Sequence, residues 1–322
     1  MMKRSMLLFF PLLLGAGQLI AQSPDLLKIR KQVEENKHAI ISEFSSFLAI
    51  PNVAADPVNQ GKNASFIMDM MKKRGIQNIQ LLDASSPGVP PAVYGEVMVP
   101  GAKQTLIFYA HYDGQPVNPA QWAAGLEPFQ PKLYSAAIDK GVAIPFPADN
   151  NYNNDWRIYA RGAADDKAGV DAILNAYDII KLSGMVPASN LKFFFEGEEE
   201  AGSPHLREIM EKHKALLQSD LWIICDGPVH QSGKKQIVFG VRGDTHLDLT
   251  IYASKRPLHS GHYGNWAPNP ALMMATLLAS MKDKNGKVTV KGFYSDVIPL
   301  SPSEKKALDK VPSVDEQMKK EL

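Results

Sequence analysis

Apolar residues recur at helical spacing over 24–48 (Leu26, Leu27, Ile29, Val33, Ile40, Ile41, Phe44, Phe47, Leu48) and stop before Pro51, which predicts an amphipathic helix packed on the main domain. A second helix is predicted over 63–74, stopped by Gly75, and a strand over 92–99, stopped by Pro100 and Gly101. The run Thr-Leu-Ile-Phe-Tyr-Ala at 105–110 is apolar throughout, as expected of a strand covered on both faces. Further strands are predicted at 191–195 and 221–225, and a helix opens after the turn at 161–169 and runs to about 182. Strands alternating with helices predict an α/β fold with a doubly wound, parallel or mixed sheet. Residues 114–155, rich in Pro, Asn and Gly with little periodicity, read as a long functional loop. After about 233 the texture changes. Positions 236–254 alternate in the manner of antiparallel strands broken at Gly243, and 269–282 reads as an apolar helix packing on them. The expected organisation is therefore a catalytic domain over 24–233 and a smaller α+β domain over 234–322.

The chemistry sits where the predicted strands end. Residues 193–203 read Phe-Phe-Phe-Glu-Gly-Glu-Glu-Glu-Ala-Gly-Ser, a buried strand stopping in an acidic, tightly turning loop. Like charges this dense stay together only if a cation compensates them or the side chains splay into water. Other strand ends carry His111 with Asp113, then Asp165, then Asp226, so that imidazole and carboxylates recur in a pattern suited to a shared zinc site. Asp165, in a turn between Gly162 and Gly169, is well suited to bridge two ions. Asp113 could accept the second N–H of His111 and fix its tautomer. Glu199 and Glu200 cannot be equivalent ligands, since one must stay free as a base for an activated water.

Composition narrows the partners. Lys+Arg number 35 against 34 Asp+Glu, so no net field draws the chain to nucleic acid or an acidic membrane surface. Residues 1–21 have the form of a secretory signal peptide, with a basic start at Lys3 and Arg4, a short apolar stretch, and Ala21 before Gln22 and Ser23. A secreted or periplasmic destination follows, with no stable membrane insertion after cleavage. Cys225 is the single cysteine, which excludes an intrachain disulfide.

Five motifs carry a resemblance: His111-Tyr-Asp113-Gly, Arg161-Gly-Ala-Ala-Asp165-Asp-Lys-Ala-Gly169, Glu196-Gly-Glu-Glu199-Glu200-Ala-Gly-Ser203, Asp226, and Leu258-His259-Ser260-Gly261-His-Tyr-Gly264. In this order they resemble the di-zinc metallopeptidases that include carnosine dipeptidases, glutamate carboxypeptidases and aminoacylases, and the Leu-His-Ser-Gly element resembles the dipeptidase branch. The resemblance implies a di-zinc aminopeptidase-like catalytic domain with an inserted α+β lid that also serves dimerisation. It implies that Asp165 bridges two Zn2+, that His111 and Asp226 complete one and Glu200 binds the other, and that Glu199 is general base and acid while Asp113 orients His111. It also implies that His259 is a lid histidine stabilising the developing oxyanion across a homodimer. The substrate implied is a small peptide. The family supplies one more zinc-binding histidine after the lid, whereas here no histidine follows His262; the expectation is a truncated chain with an incomplete lid domain and a weaker or absent second zinc. Aminoacylase or carboxypeptidase activity on the same scaffold is the alternative, and a metal- or peptide-binding fragment without turnover is the reading from another class.

Overall fold

The computed structural model describes residues 23–321 except 228 and 244. The expected signal segment over 1–21 lies outside the described residues. No described helix is long and apolar enough to cross a membrane. The chain divides into two compact units, Met1–Pro228 and Val229–Leu322.

In the first unit, α1 (Pro24–Leu48) starts at Ser23, whose hydroxyl accepts the Leu26 N–H, and buries Phe44, Phe47 and Leu48. Helix α2 (Pro57–Lys73) begins earlier than its apolar spacing predicts, because Asp56 caps it and Pro57 presets its first turn. Its first turns bury Gln60 and Asn63, whose amides donate to the carbonyls of Pro51, Asn52 and Val53. Buried polar residues satisfied by backbone carry no apolar signal.

Strands β1 (Gln77–Leu82), β2 (Ala92–Val97), β3 (Thr105–His111), β7 (Asn190–Glu196) and β8 (Leu221–Ile224) form one sheet in the order β1-β2-β7-β3-β8. Strand β3 runs parallel to both β7 and β8, while β2 is antiparallel to β1 and β7, which makes the sheet mixed. Alternation along β7 sends Phe193 and Phe195 to one face and Phe194 to the other. The first face packs on α1, α2 and α3 (Lys167–Leu182) through Phe47, Ile67, Met71, Val170 and Leu174. The second gathers Tyr94, Ile107 and Tyr109 with Ile209 of α4 (Leu206–Lys212).

Two expectations need correction. The predicted loop over 114–155 contains strands of its own: β4 (Lys132–Tyr134) and β5 (Ala143–Ile144) pair with each other, and β4 pairs with β6 (Arg157–Tyr159), all antiparallel. They escaped prediction because each is too short to show a period.

The second unit contains α5 (Ser260–Tyr263), α6 (Pro270–Ser280), α7 (Pro302–Leu308) and α8 (Asp315–Glu321). The predicted antiparallel strands over 236–254 do not form; among the described residues of this unit, β pairing is limited to an isolated bridge between Lys282 and Val288. The described residues over 234–322 form helices and irregular chain. Alternation supplies an apolar face but not the layer that must cover it, and Phe239 and Val241 are each 93% exposed.

Candidate active site

The site forms where three parallel strands end. The register β3·β7 sets His111 opposite Glu196, and β8 lies on the other side of β3, so the residues that follow β3, β7 and β8 emerge side by side at the carboxyl edge of the sheet. Beyond β7 the chain turns tightly. Gly197 is required by close approach, since a Cβ there would clash with the Tyr112 hydroxyl. Gly202 takes φ 86°, a conformation that favours glycine, and closes the turn through its N–H to the Glu199 carbonyl.

Three consecutive residues anchor the turn before α3 in three directions. The Asp165 carboxylate reaches His111 Nε2 at 3.0 Å. Asp166 caps α3 by accepting the Gly169 N–H at 3.1 Å, and its other oxygen accepts the His111 N–H at 3.2 Å. Lys167, fully buried, donates to the Phe47 and Ile50 carbonyls at 2.7 Å each and lies 4.5 Å from the Phe47 ring centre. Its ammonium thus faces the C-terminal end of α1, where the helix dipole favours positive charge. Burial lowers its pKa well below the usual lysine value.

His111 is the buried centre of the cluster. Around Nε2 stand Asp165 Oδ1 at 3.0 Å, Asp226 Oδ1 at 3.8 Å and Glu199 Oε2 at 3.8 Å. On the far side, Nδ1 lies 3.2 Å from Asp113 Oδ1, a close contact whose alignment falls short of a well-formed hydrogen bond. Asp113 is itself fully buried, and its carboxylate also accepts the main-chain N–H groups of Glu199 at 3.2 Å and Glu200 at 3.0 Å. Burial alone would lower the His111 pKa, but Asp113 and, beyond it, Asp226 and Asp166 outweigh it and push the imidazole up to about 10. The carboxylates respond in kind. Burial, reinforced by Asp226, pushes Asp166 up to about 7 against the hydrogen bonds and charge of His111. Burial likewise raises Glu199 and Asp226, helped by their acidic neighbours and opposed by His111.

Among the described residues, no lysine or arginine pairs with Asp165, Glu199, Glu200 or Asp226, so this acidic group lacks a protein cation other than His111. His111, Asp165 and Asp226 each offer a ligand atom, all within 4.8 Å of one another. Two ligands held at about 2.1 Å from a tetrahedral ion stand about 3.4 Å apart, and the contacts at 3.0 and 3.8 Å bracket that span. One imidazole nitrogen with carboxylate oxygens, at that spacing, fits a divalent metal.

Of the residues singled out in the sequence, the structure brings His111, Asp113, Asp165, Glu199 and Asp226 into one cluster. Glu200 adjoins it, with its carboxylate turned to Gln115 at 2.6 Å. His259 belongs to the second unit, where its Nδ1 accepts the Gly261 N–H at 3.1 Å and its ring lies 4.7 Å from that of His262. Asp-Asp-Lys at 165–167 reads in the sequence as a helix cap and first-turn charge, and Asp166 is that cap, whereas Gln115 carries no such mark. The i, i+2, i+4 spacing of His111, Asp113 and Gln115 is the available signal for Gln115.

Comparison with known proteins bears on this cluster. A family model described as Peptidase family M20/M25/M40 matches residues 107–314. The Beta-Ala-His dipeptidase of Homo sapiens is 27% identical over 320 residues, covering 94% of this chain and 59% of that protein. The Cys-Gly metallodipeptidase DUG1 of Candida albicans is 30% identical over 294 residues, covering 87% of this chain and 56% of that protein. Among solved structures, the M20 family metallo-carboxypeptidase Sso-CP2 of Sulfolobus solfataricus superposes with a TM-score of 0.63 at 29% identity, covering 87% of this chain and 58% of that one. The chain therefore spans a little under three fifths of the length of these relatives.

Proposed function

Since the chain belongs to peptidase family M20/M25/M40, we propose that it hydrolyses the amide bond of dipeptides or short peptides with a water activated at a divalent-metal centre, and that the metal is zinc. The observation that carries this reading is a buried imidazole with its Nε2 ringed by Asp165, Asp226 and Glu199 at 3.0–3.8 Å. In this reading His111, Asp165 and Asp226 hold one ion, and Asp165 and Glu200 take part in holding a second. Bound there, zinc supplies Lewis-acid polarisation of the scissile carbonyl and a more acidic water.

The remaining work falls to the chain's own side chains. Glu199, its pKa raised by burial and by neighbouring carboxylates, is a stronger base than an exposed glutamate. It accepts a proton from the attacking water as the new C–O bond forms, and returns that proton to the departing amine nitrogen as the C–N bond breaks. Asp113 keeps the His111 ring in place and, through two main-chain N–H groups, the loop that carries the base. His259 is assigned the role of donor to the carbonyl oxygen, delivered across a homodimer. The form of residues 1–21 supports a secreted or periplasmic site of action.

The likeness to a metallo-carboxypeptidase favours a second reading, release of C-terminal residues from longer peptides. Zinc-loaded protein and its Glu199→Gln variant, assayed on free dipeptides, longer peptides and acylated amino acids, separate the readings. Turnover of dipeptides that falls by about 100- to 10,000-fold in the variant is expected. Turnover unchanged by the substitution would refute the assignment of the base, and preference for longer peptides would select the carboxypeptidase reading.

A further inference from the structure

Glu200 is held at two levels by the turn that follows β3. Its main-chain N–H goes to Asp113 Oδ2 at 3.0 Å, and its side-chain Oε2 accepts the Gln115 Nε2 amide at 2.6 Å. The same amide lies 3.4 Å from the Glu200 carbonyl oxygen. His111, Asp113 and Gln115 thus sit at alternate positions on one short segment, and each grips a different part of the cluster: the imidazole faces Asp165, the carboxylate takes the loop backbone, and the amide takes the Glu200 side chain. Glu200 is not one of the three residues whose ligand atoms already converge, and Glu199, its neighbour, points to His111 instead. What fixes the direction of the Glu200 carboxylate is therefore a residue outside the charged cluster.

The geometry points to Gln115 as a positioning residue for the second ion, acting through Glu200. This inference rests on the two-ion reading above. A half-buried glutamate side chain has several accessible rotamers, and an ion that recruits it must first select one. An amide that donates to Oε2 makes that selection in advance and engages one of the two carboxylate oxygens. An amide is suited to the task because it is a donor without charge. A lysine or arginine there would compete with the ion, and a carboxylate would repel Glu200. Partners of this kind, one bond removed from the metal, typically change metal affinity by about 10- to 100-fold when removed.

The test is a calorimetric titration of metal-stripped protein with Zn2+ alone, run on the wild type, Gln115→Met, Gln115→Ala and Glu200→Gln, with a thermal melt of each. Met keeps the length and apolar stem of Gln but cannot donate. We expect the tighter binding event and the melting temperature to be the same in the wild type and Gln115→Met. We expect the event that Glu200→Gln abolishes to weaken by about 10- to 100-fold in Gln115→Met and in Gln115→Ala. A Glu200-dependent event that stays within twofold of wild type in both Gln115 variants would overturn the inference and leave the two-ion reading intact. Zinc binding by Glu200→Gln indistinguishable from wild type would overturn both.

Discussion

The two units of this chain are built on opposite balances of pattern and partner. In the first, Phe193, Phe194 and Phe195 alternate across a sheet whose two faces are both covered, and all three are buried. In the second, Ile237, Phe239 and Val241 alternate just as regularly, yet they are 81–93% exposed and form no strand. The described buried apolar residues, from Phe44 to Leu217, all belong to the first unit. Alternation therefore creates a face, while a second layer turns that face into structure. The site follows the same division. His111, Asp165 and Asp226 converge because a packed sheet aligns the ends of β3 and β8 and seats the start of α3, whereas His259 is organised locally, by its own turn into α5.

Truncating one aromatic residue in each unit should give very different losses. Phe194 stacks on Tyr109 at 6.2 Å and meets Trp222 edge-on at 5.6 Å, so Phe194→Ala should cost about 3–5 kcal/mol and lower the melting temperature of the first unit markedly. A loss below about 1 kcal/mol would show that this face of the sheet is not the packed core described.

A smaller effect comes from pH. In metal-free protein the raised His111 pKa stabilises the fold fully below its ordinary value of 6.5, and this contribution fades as pH rises toward about 10. Zinc affinity should run the other way, increasing with pH over the same interval as the imidazole gives up its proton. Melting curves with and without zinc, taken across that range, should therefore diverge with rising pH. Parallel curves would contradict the placement of His111 at the centre of the cluster.

The smallest effect is expected at Phe239. With 93% of its surface exposed, Phe239→Ala should change stability by no more than about 0.5 kcal/mol. A loss comparable to that at Phe194 would break the comparison and give the second unit a core of its own.

Much of this was legible in the sequence. The strands at 105–111, 190–196 and 221–224 announce themselves as apolar runs; β3 ends on His111, β7 ends on Glu196, and β8 leads through Cys225 to Asp226. The start of α2 was not legible, because Gln60 and Asn63 are buried through hydrogen bonds to backbone carbonyls, which polarity patterns read as exposure. The strand β1 was hidden for a related reason, being a mostly exposed edge rich in Gln and Asn. At the site, the ligand types were legible but their support was not. The grip of Gln115 on Glu200 and of Lys167 on the end of α1 links residues 85 and 120 positions apart, distances over which no local period operates.

The packed sheet of the first unit gathers His111, Asp165 and Asp226 into a centre suited to a divalent ion. The most direct measurement is zinc bound per chain at equilibrium after metal stripping, determined for the wild type and for His111→Ala under identical conditions. The wild type should retain its tightest zinc through dialysis, and the variant should lose it while keeping its fold. Equal zinc retention in both proteins would contradict this assignment.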